Sequence, residues 1–223
     1  MKMAPLLREN MTARIYRELK SRLMTGQLPP GQTITLRSVS DGLGVSQTPV
    51  REALLQLVSE RALSLSPGKS VTVPMLTAVQ LQELRNIRLE LESFAGRVAT
   101  QNATPELIKE LTRIHKSLAA ARKRGDRDTL LKANLEFHFA LYSAADMPYL
   151  LSLIENLWVQ TASYLTFMYQ PPFPGLAGEH PHSAIIAALK RRDADKVIEA
   201  IRRDIEAHGG ILMKILRERG IVG

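Results

Sequence analysis

The chain has 223 residues, 45% of them hydrophobic and 23% charged, which allows one large or two modest domains with a real core and argues against disorder. It contains no cysteine, so disulfides, thiolate metal sites and cysteine nucleophiles are excluded. The formal net charge of +8 is uneven: residues 1–76 carry ten Lys and Arg against five Asp and Glu, as expected of a domain that meets a polyanion.

A helix is predicted over residues 11–25, with Ala13, Tyr16, Leu19, Leu23 and Met24 sharing one side. Gly26 ends it, and "LPPGQ" makes a turn. "TITL" reads as a short extended piece, and Leu36 to Leu43 as a second helix closed by Gly44. A third helix follows "GVS", with Ser46 as its N-cap and Val50, Ala53, Leu54 and Leu57 as its buried stripe. Pro49 falls in the first turn, where its missing N–H breaks no intrahelical bond. Leu63/Leu65 and Val71/Val73 alternate around Pro67-Gly68, a β-hairpin with Lys69 near its tip. Helix, helix–turn–helix and hairpin make a winged helix-turn-helix over residues 1–75.

Residues 76–223 read as almost pure helix. Thr77 caps the first, whose stripe is Leu84, Ile87, Arg88, Leu91, Phe94, Ala95 and Val98. Thr104-Pro105 opens the second, which runs to about 123, and a third covers roughly 128–145. A fourth starts near Pro148 and fades at Tyr169, before the Pro/Gly-rich "QPPFPGLAGEHP". Two more span about 181–191 and 193–219. The expected fold class is mainly α: an N-terminal winged helix-turn-helix with a small β-hairpin wing, then a C-terminal all-α six-helix bundle.

Several polar side chains point into that bundle. Asn134 and His138 lie at i, i+4 on a face with Leu131, Leu135 and Leu141. His182 shares a stripe with Ile185, Ile186 and Leu189, while Asp204 and His208 border the stripe of the last helix. Buried imidazoles and carboxylates need partners, which a divalent metal with N and O ligands or a water-bridged polar cluster would supply. Arg88 interrupts an apolar stripe and suits either bidentate capture of a carboxylate or an i, i+4 pair with Glu92. His115 and His180 join no constellation visible in the sequence.

There is no H-E-x-x-H, no G-x-S-x-G and no phosphate-cradling glycine loop, so an enzyme is not expected. A metal-dependent small-molecule hydrolase built on the buried histidines is the alternative from another class, and a helical interaction module without DNA binding is a third. No apolar run approaches the ~18 residues of a membrane span. The opening "MKMAPLLRENMTARIYREL" lacks the apolar core of a secretory signal, so a cytoplasmic protein without a membrane partner is expected.

"GQLPPGQTIT…VSDGLGVSQTPVREALLQLVSERAL" resembles the amino-terminal reader domain of the GntR family of bacterial transcription regulators. The remainder, with "NLEFHFALY" and "HPHSAIIAALKRRDADKVIEAI", resembles the effector domain of the FadR-type (FCD) branch. The resemblance implies DNA contacts at Arg37, Gln47, Thr48 and Arg51, with Gly68 and Lys69 at the wing. Physical chemistry agrees: a helix amino-terminus faces phosphate well, Arg pairs with the O6/N7 edge of guanine, and Gln pairs with adenine. Family members usually carry arginine where this chain has Gln47, which implies an altered sequence preference, and glycine where it has Ser70.

For residues 76–223 the resemblance implies an effector-binding and dimerisation domain that senses a small organic acid. Arg88, Asn134, His138 and His182 are then the effector-binding residues, with Arg88 as the carboxylate anchor. The implied metal, Zn, Ni or Mn, is held by Asn134, His138, His182 and Asp204. Histidine is usual where Asp204 stands, and His208, one turn on, is a substitute ligand. The implied partners are double-stranded operator DNA, the effector and a second copy of the chain. Together these describe a sequence-specific regulator whose operator affinity responds to a small molecule.

Overall fold

The computed structural model describes residues 11–66, 70–169 and 180–221. The reader begins with α1 (Met11–Met24), which buries Ile15, Leu19, Leu23 and Met24. β1 (Thr33–Ile34) leads into α2 (Leu36–Leu43). That helix opens with a capping box between Thr35 and Ser38 and stops at Gly44, whose φ of 65° lies in the left-handed region. α3 (Gln47–Ser59) turns Val50, Ala53, Leu54 and Leu57 into the core, as their spacing demands. Two carboxylates pin it to α1: Thr12 Oγ1 donates to Glu52 at 2.7 Å, and Tyr16 Oη donates to Glu60 at 2.7 Å.

β2 (Ser64–Leu65) and β3 (Val71–Thr72) form the expected hairpin, but the wing is a three-stranded antiparallel sheet of order β1-β3-β2. Val71 stands opposite both Ile34 and Leu65. The "TITL" segment is therefore the other edge of the wing. Gly68 and Lys69, expected at the wing tip, lie outside the described residues.

The bundle consists of α4 (Ala78–Gln101), α5 (Pro105–Arg124), α6 (Arg127–Ser143), α7 (Pro148–Thr161), the 3₁₀ turn η1 (Ala162–Tyr164), α8 (Leu165–Met168), α9 (Pro181–Lys190) and α10 (Ala194–Glu218). Capping explains most starts. Thr77 and Gln80 form a capping box before α4, Thr104 caps α5 ahead of Pro105, and Asp126 and Asp193 cap α6 and α10. The fourth predicted helix is broken: α7 ends at Thr161, and η1 separates it from α8.

The inward face of α4 differs from the stripe expected for it. Ile87 and Phe94 are 41% and 46% exposed, whereas Leu89, Glu92, Ser93, Ala95, Gly96 and Ala99 are buried. The reason is close packing on α10. A Cβ on Gly96 would stand 2.2 Å from Ile201 Cδ1, so small residues, not large ones, must face that helix.

Reader and bundle meet at one joint. Lys20 of α1 pairs with Glu155 of α7 at 3.1 Å, and Arg127 Nη2 donates to the Gly26 carbonyl at 3.0 Å. A Cβ on Gly26 (φ +65°) would stand 3.6 Å from the Ala162 carbonyl of η1. Tyr164, fully buried, accepts a hydrogen bond from the Leu76 amide and donates to the Pro74 carbonyl, clasping the linker between the two halves.

Candidate functional site

Two regions concentrate chemistry. The first is the front of α3. Gln47, Thr48 and Arg51 are all exposed there, while the rear of the helix is packed. Ser46 holds the N-cap position in extended conformation, yet its side chain makes no cap hydrogen bond. The first-turn amides of α3 are thus not taken up by that side chain, and they add a partial positive charge to the guanidinium of Arg51. Arg37, at the start of α2, is also exposed and makes only a loose pair with Asp41 at 3.5 Å. This tip presents donors and cations to a polyanion.

The second region is a cavity of about 80 Å³ in the bundle, walled by α4, α6, α7, η1, α8 and α10. Arg85, Arg88, Asn134, His138, Trp158 and Asp204 all line it. Glu92, fully buried, organises one wall. It accepts hydrogen bonds from Arg88 Nε at 2.6 Å, Tyr142 Oη at 2.6 Å and Trp158 Nε1 at 2.9 Å. The Arg88 guanidinium also stacks over the Trp158 ring at 4.5 Å and lies 3.4 Å from Thr161 Oγ1. Arg88 therefore lines the cavity and is paired with Glu92 at the same time. Burial pushes the Tyr142 hydroxyl well above its ordinary pKa, and the Glu92 carboxylate pushes it further.

That network fixes the neighbouring imidazole. Tyr142 spends its proton on Glu92, so its oxygen accepts from His138 Nδ1 at 3.2 Å. A neutral His138 then carries a bare lone pair on Nε2. This atom lies 3.2 Å from His182 Nε2 and 3.1 Å from Asp204 Oδ2. Three electron-rich atoms thus converge in a buried site. His182 Nδ1 and Asp204 Oδ1 are buried without hydrogen bonds, and Oδ1 sits 3.1 Å from His208 Nδ1, whose N–H is aimed at the Asp204 carbonyl 2.8 Å away.

Two donors bound to one ion at about 2.0–2.2 Å, with tetrahedral or octahedral angles, stand roughly 3.0–3.5 Å apart. The observed separations match, and the donor set of imidazole nitrogens and a carboxylate suits a borderline divalent cation. Asn134, 8% exposed, lines the same cavity. Burial, with the neighbouring His138 next, holds His182 well below its ordinary pKa, keeping it in the neutral ligating form. Burial would raise the pKa of Asp204, but the neighbouring His208 imidazole, the largest opposing influence, holds the carboxyl well below the usual carboxylate range.

Sequence reasoning placed His138, His182 and the Asp204–His208 pair in three different helices, and the fold brings them together. It missed others. His115 and His180 lie beside His182, the three offering ligand atoms within 4.8 Å of one another. Burial lowers the His180 pKa to about 4. Arg85, Tyr142 and Trp158 were also missed, and Glu92 was foreseen as the i, i+4 partner of Arg88 but not as the acceptor for Tyr142 and Trp158.

An uncovered reading helix on a small winged domain, joined to a helical domain that encloses a polar cavity, defines a DNA-binding transcription regulator with an effector-binding domain. Residues 11–73 match the bacterial regulatory proteins of the gntR family, and residues 83–207 match the FCD domain. The chain belongs to the gntR family and carries the FCD domain. Among its relatives, the HTH-type transcriptional regulator McbR of Escherichia coli is 37% identical over 83% of this chain and 85% of its own length. The gluconate operon transcriptional repressor of Bacillus subtilis is 24% identical over 86% of this chain and 81% of its own. The solved structure of E. coli McbR/YncC superposes with a TM-score of 0.87 at 34% identity, covering 93% of this chain and 99% of that one. These relatives carry names of regulators, and nothing in the comparisons favours the hydrolase alternative. Among the described residues no helix is long and apolar enough to cross a membrane.

Proposed function

We propose that residues 1–75 read an operator and residues 76–223 sense a small organic acid, the chain acting in the cytoplasm as a homodimer. The observation that carries the DNA reading is the two-faced α3, with Gln47, Thr48 and Arg51 uncovered in front and Val50, Ala53, Leu54 and Leu57 buried behind. Arg37 and Arg51 supply charge, Gln47 and Thr48 supply polar contacts, and Gly68 and Lys69 extend the interface at the wing.

Dimerisation is supported by the outer face of α4. Ile87 and Leu91 line a groove with Leu153 and Leu157 of α7, and Ile87, Phe94 and Leu153 are 41%, 46% and 55% exposed. A second copy of the same stripe would cover it and set two readers on a two-fold-related site. The test is a gel shift with DNA from upstream of its own gene. A retarded band is expected, with affinity falling by about a thousandfold or more between roughly 50 and 200 mM salt. Absence of any shift at low salt would sink the reading.

In the bundle, Asn134, His138, His182 and Asp204 are the residues proposed to hold a divalent cation of the Zn, Ni or Mn class, with His208 beside them. When bound, the ion would cross-link α6, α9 and α10 and offer a Lewis-acidic centre to an effector carboxylate. His138 is oriented for this by Tyr142 and Glu92, which act as positioning residues. Metal analysis of purified protein is expected to give about one equivalent per chain. His138→Ala and His182→Ala should each lose it, and His115→Ala should not. Equal metal content in all of these variants would remove the assignment.

A further inference from the structure

The cation at the far side of the cavity is Arg85, not Arg88. Arg88 is matched by Glu92 at 2.6 Å, and Asp204 lies among imidazoles. Arg85 Nε is buried and without a hydrogen bond, and no carboxylate of the described residues pairs with the side chain. A buried N–H of a charged group left without an acceptor is costly, and an anion at this wall would complete it.

The chain has also shaped a seat for it. A Cβ on Gly209 would stand 2.6 Å from Arg85 Cδ and 3.0 Å from Nη1, so only glycine lets the side chain lie across α10 at this point. Gly209 is five residues beyond Asp204 on the same helix, about 7.5 Å along its axis at ~1.5 Å per residue. The cavity thus has two poles, a ligating one at Asp204 and His138, with His182 directly behind His138, and a cationic one at Arg85. The small volume, about 80 Å³, restricts the occupant to a short acid.

We propose that Arg85, seated on Gly209, binds the second anionic group of a short dianionic acid whose first carboxylate lies at the Asp204–His138–His182 pole. This deepens the effector reading of the bundle and rests on it. It makes Arg85 the residue that distinguishes a dicarboxylate from a monocarboxylate of the same length, since only the dicarboxylate brings a charge to both poles.

Trp158 is the chain's single tryptophan and lines the cavity, so its fluorescence reports occupancy. The full-length protein as purified is titrated with succinate and with butyrate, which share four carbons and differ in one carboxylate. Wild type is expected to prefer succinate by about tenfold or more, the size of one charge-assisted contact. Arg85→Gln should abolish the preference while leaving butyrate affinity unchanged, and Gly209→Ala should do the same by displacing the side chain. A succinate preference that survives Arg85→Gln, or a wild type that binds butyrate as well as succinate, overturns the assignment of Arg85 but leaves the effector reading standing. If wild type binds neither acid, with metal present and the fold intact by circular dichroism, both fall together.

Discussion

Glu92→Ala is expected to destabilise the chain by about 3–5 kcal/mol, the cost of removing one partner from a buried charged pair. The size follows from what the carboxylate holds. Three donors converge on it, from Arg88, Tyr142 and Trp158, and Glu92 itself is 0% exposed. Truncation leaves a buried guanidinium, a phenol and an indole N–H without their acceptor, and each orphaned group adds its own desolvation penalty. Urea unfolding followed by far-ultraviolet circular dichroism measures it. Arg88→Met combined with Glu92→Leu should cost less than Glu92→Ala alone, because the pair is replaced by apolar groups and no charge is stranded. A loss below about 1 kcal/mol for Glu92→Ala would mean that water replaces the carboxylate freely, and that the wall is wetter than its burial indicates.

Arg51→Ala is expected to weaken operator binding by about 1–3 kcal/mol, roughly 5- to 150-fold, and to relax selectivity at one base pair. Arg51 sits on the exposed face of α3 one turn beyond Gln47, where a planar fork of donors reaches a base edge in the major groove. Its removal should cost nothing in stability, since the side chain packs against no core residue. Binding-site selection on wild type and variant separates base reading from phosphate contact. A base contact loses discrimination at one position, whereas a phosphate contact weakens all sequences evenly and lowers the salt slope by about one. Arg51→Lys should not restore discrimination, because a point charge lacks the bidentate geometry. Operator affinity unchanged by Arg51→Ala would remove this residue from the interface.

The reader was legible because its signals are local. Gly26, Gly44, the Ser46 N-cap position and the alternation around Pro67-Gly68 each act over a few residues. The pairing of β1 with β3 was not, because a two-residue strand has no periodicity to read. α4 misled for a different reason. Its large apolar residues point outward, and its inner face is set by the close approach of α10, which only the glycine at 96 records in the sequence. The break after Thr161 has no proline or glycine to announce it. In the bundle the polar residues of α6, α9 and α10 could be placed on inward faces from spacing alone. What they meet could not, since Glu92, Tyr142 and Trp158 come from α4, α6 and α7, and Arg85 is ordinary until Gly209 is seen beneath it.

That unannounced break has a mechanical result. Ala162 borders the cavity and lies beside Gly26, Tyr164 holds the Pro74–Leu76 strap, and Leu165 returns to the cavity wall. Three residues within four successive positions therefore answer to the reader, the linker and the cavity. A shift of an ångström at this corner, of the kind packed helices make when a wall repacks, would reach the N-terminal domain directly.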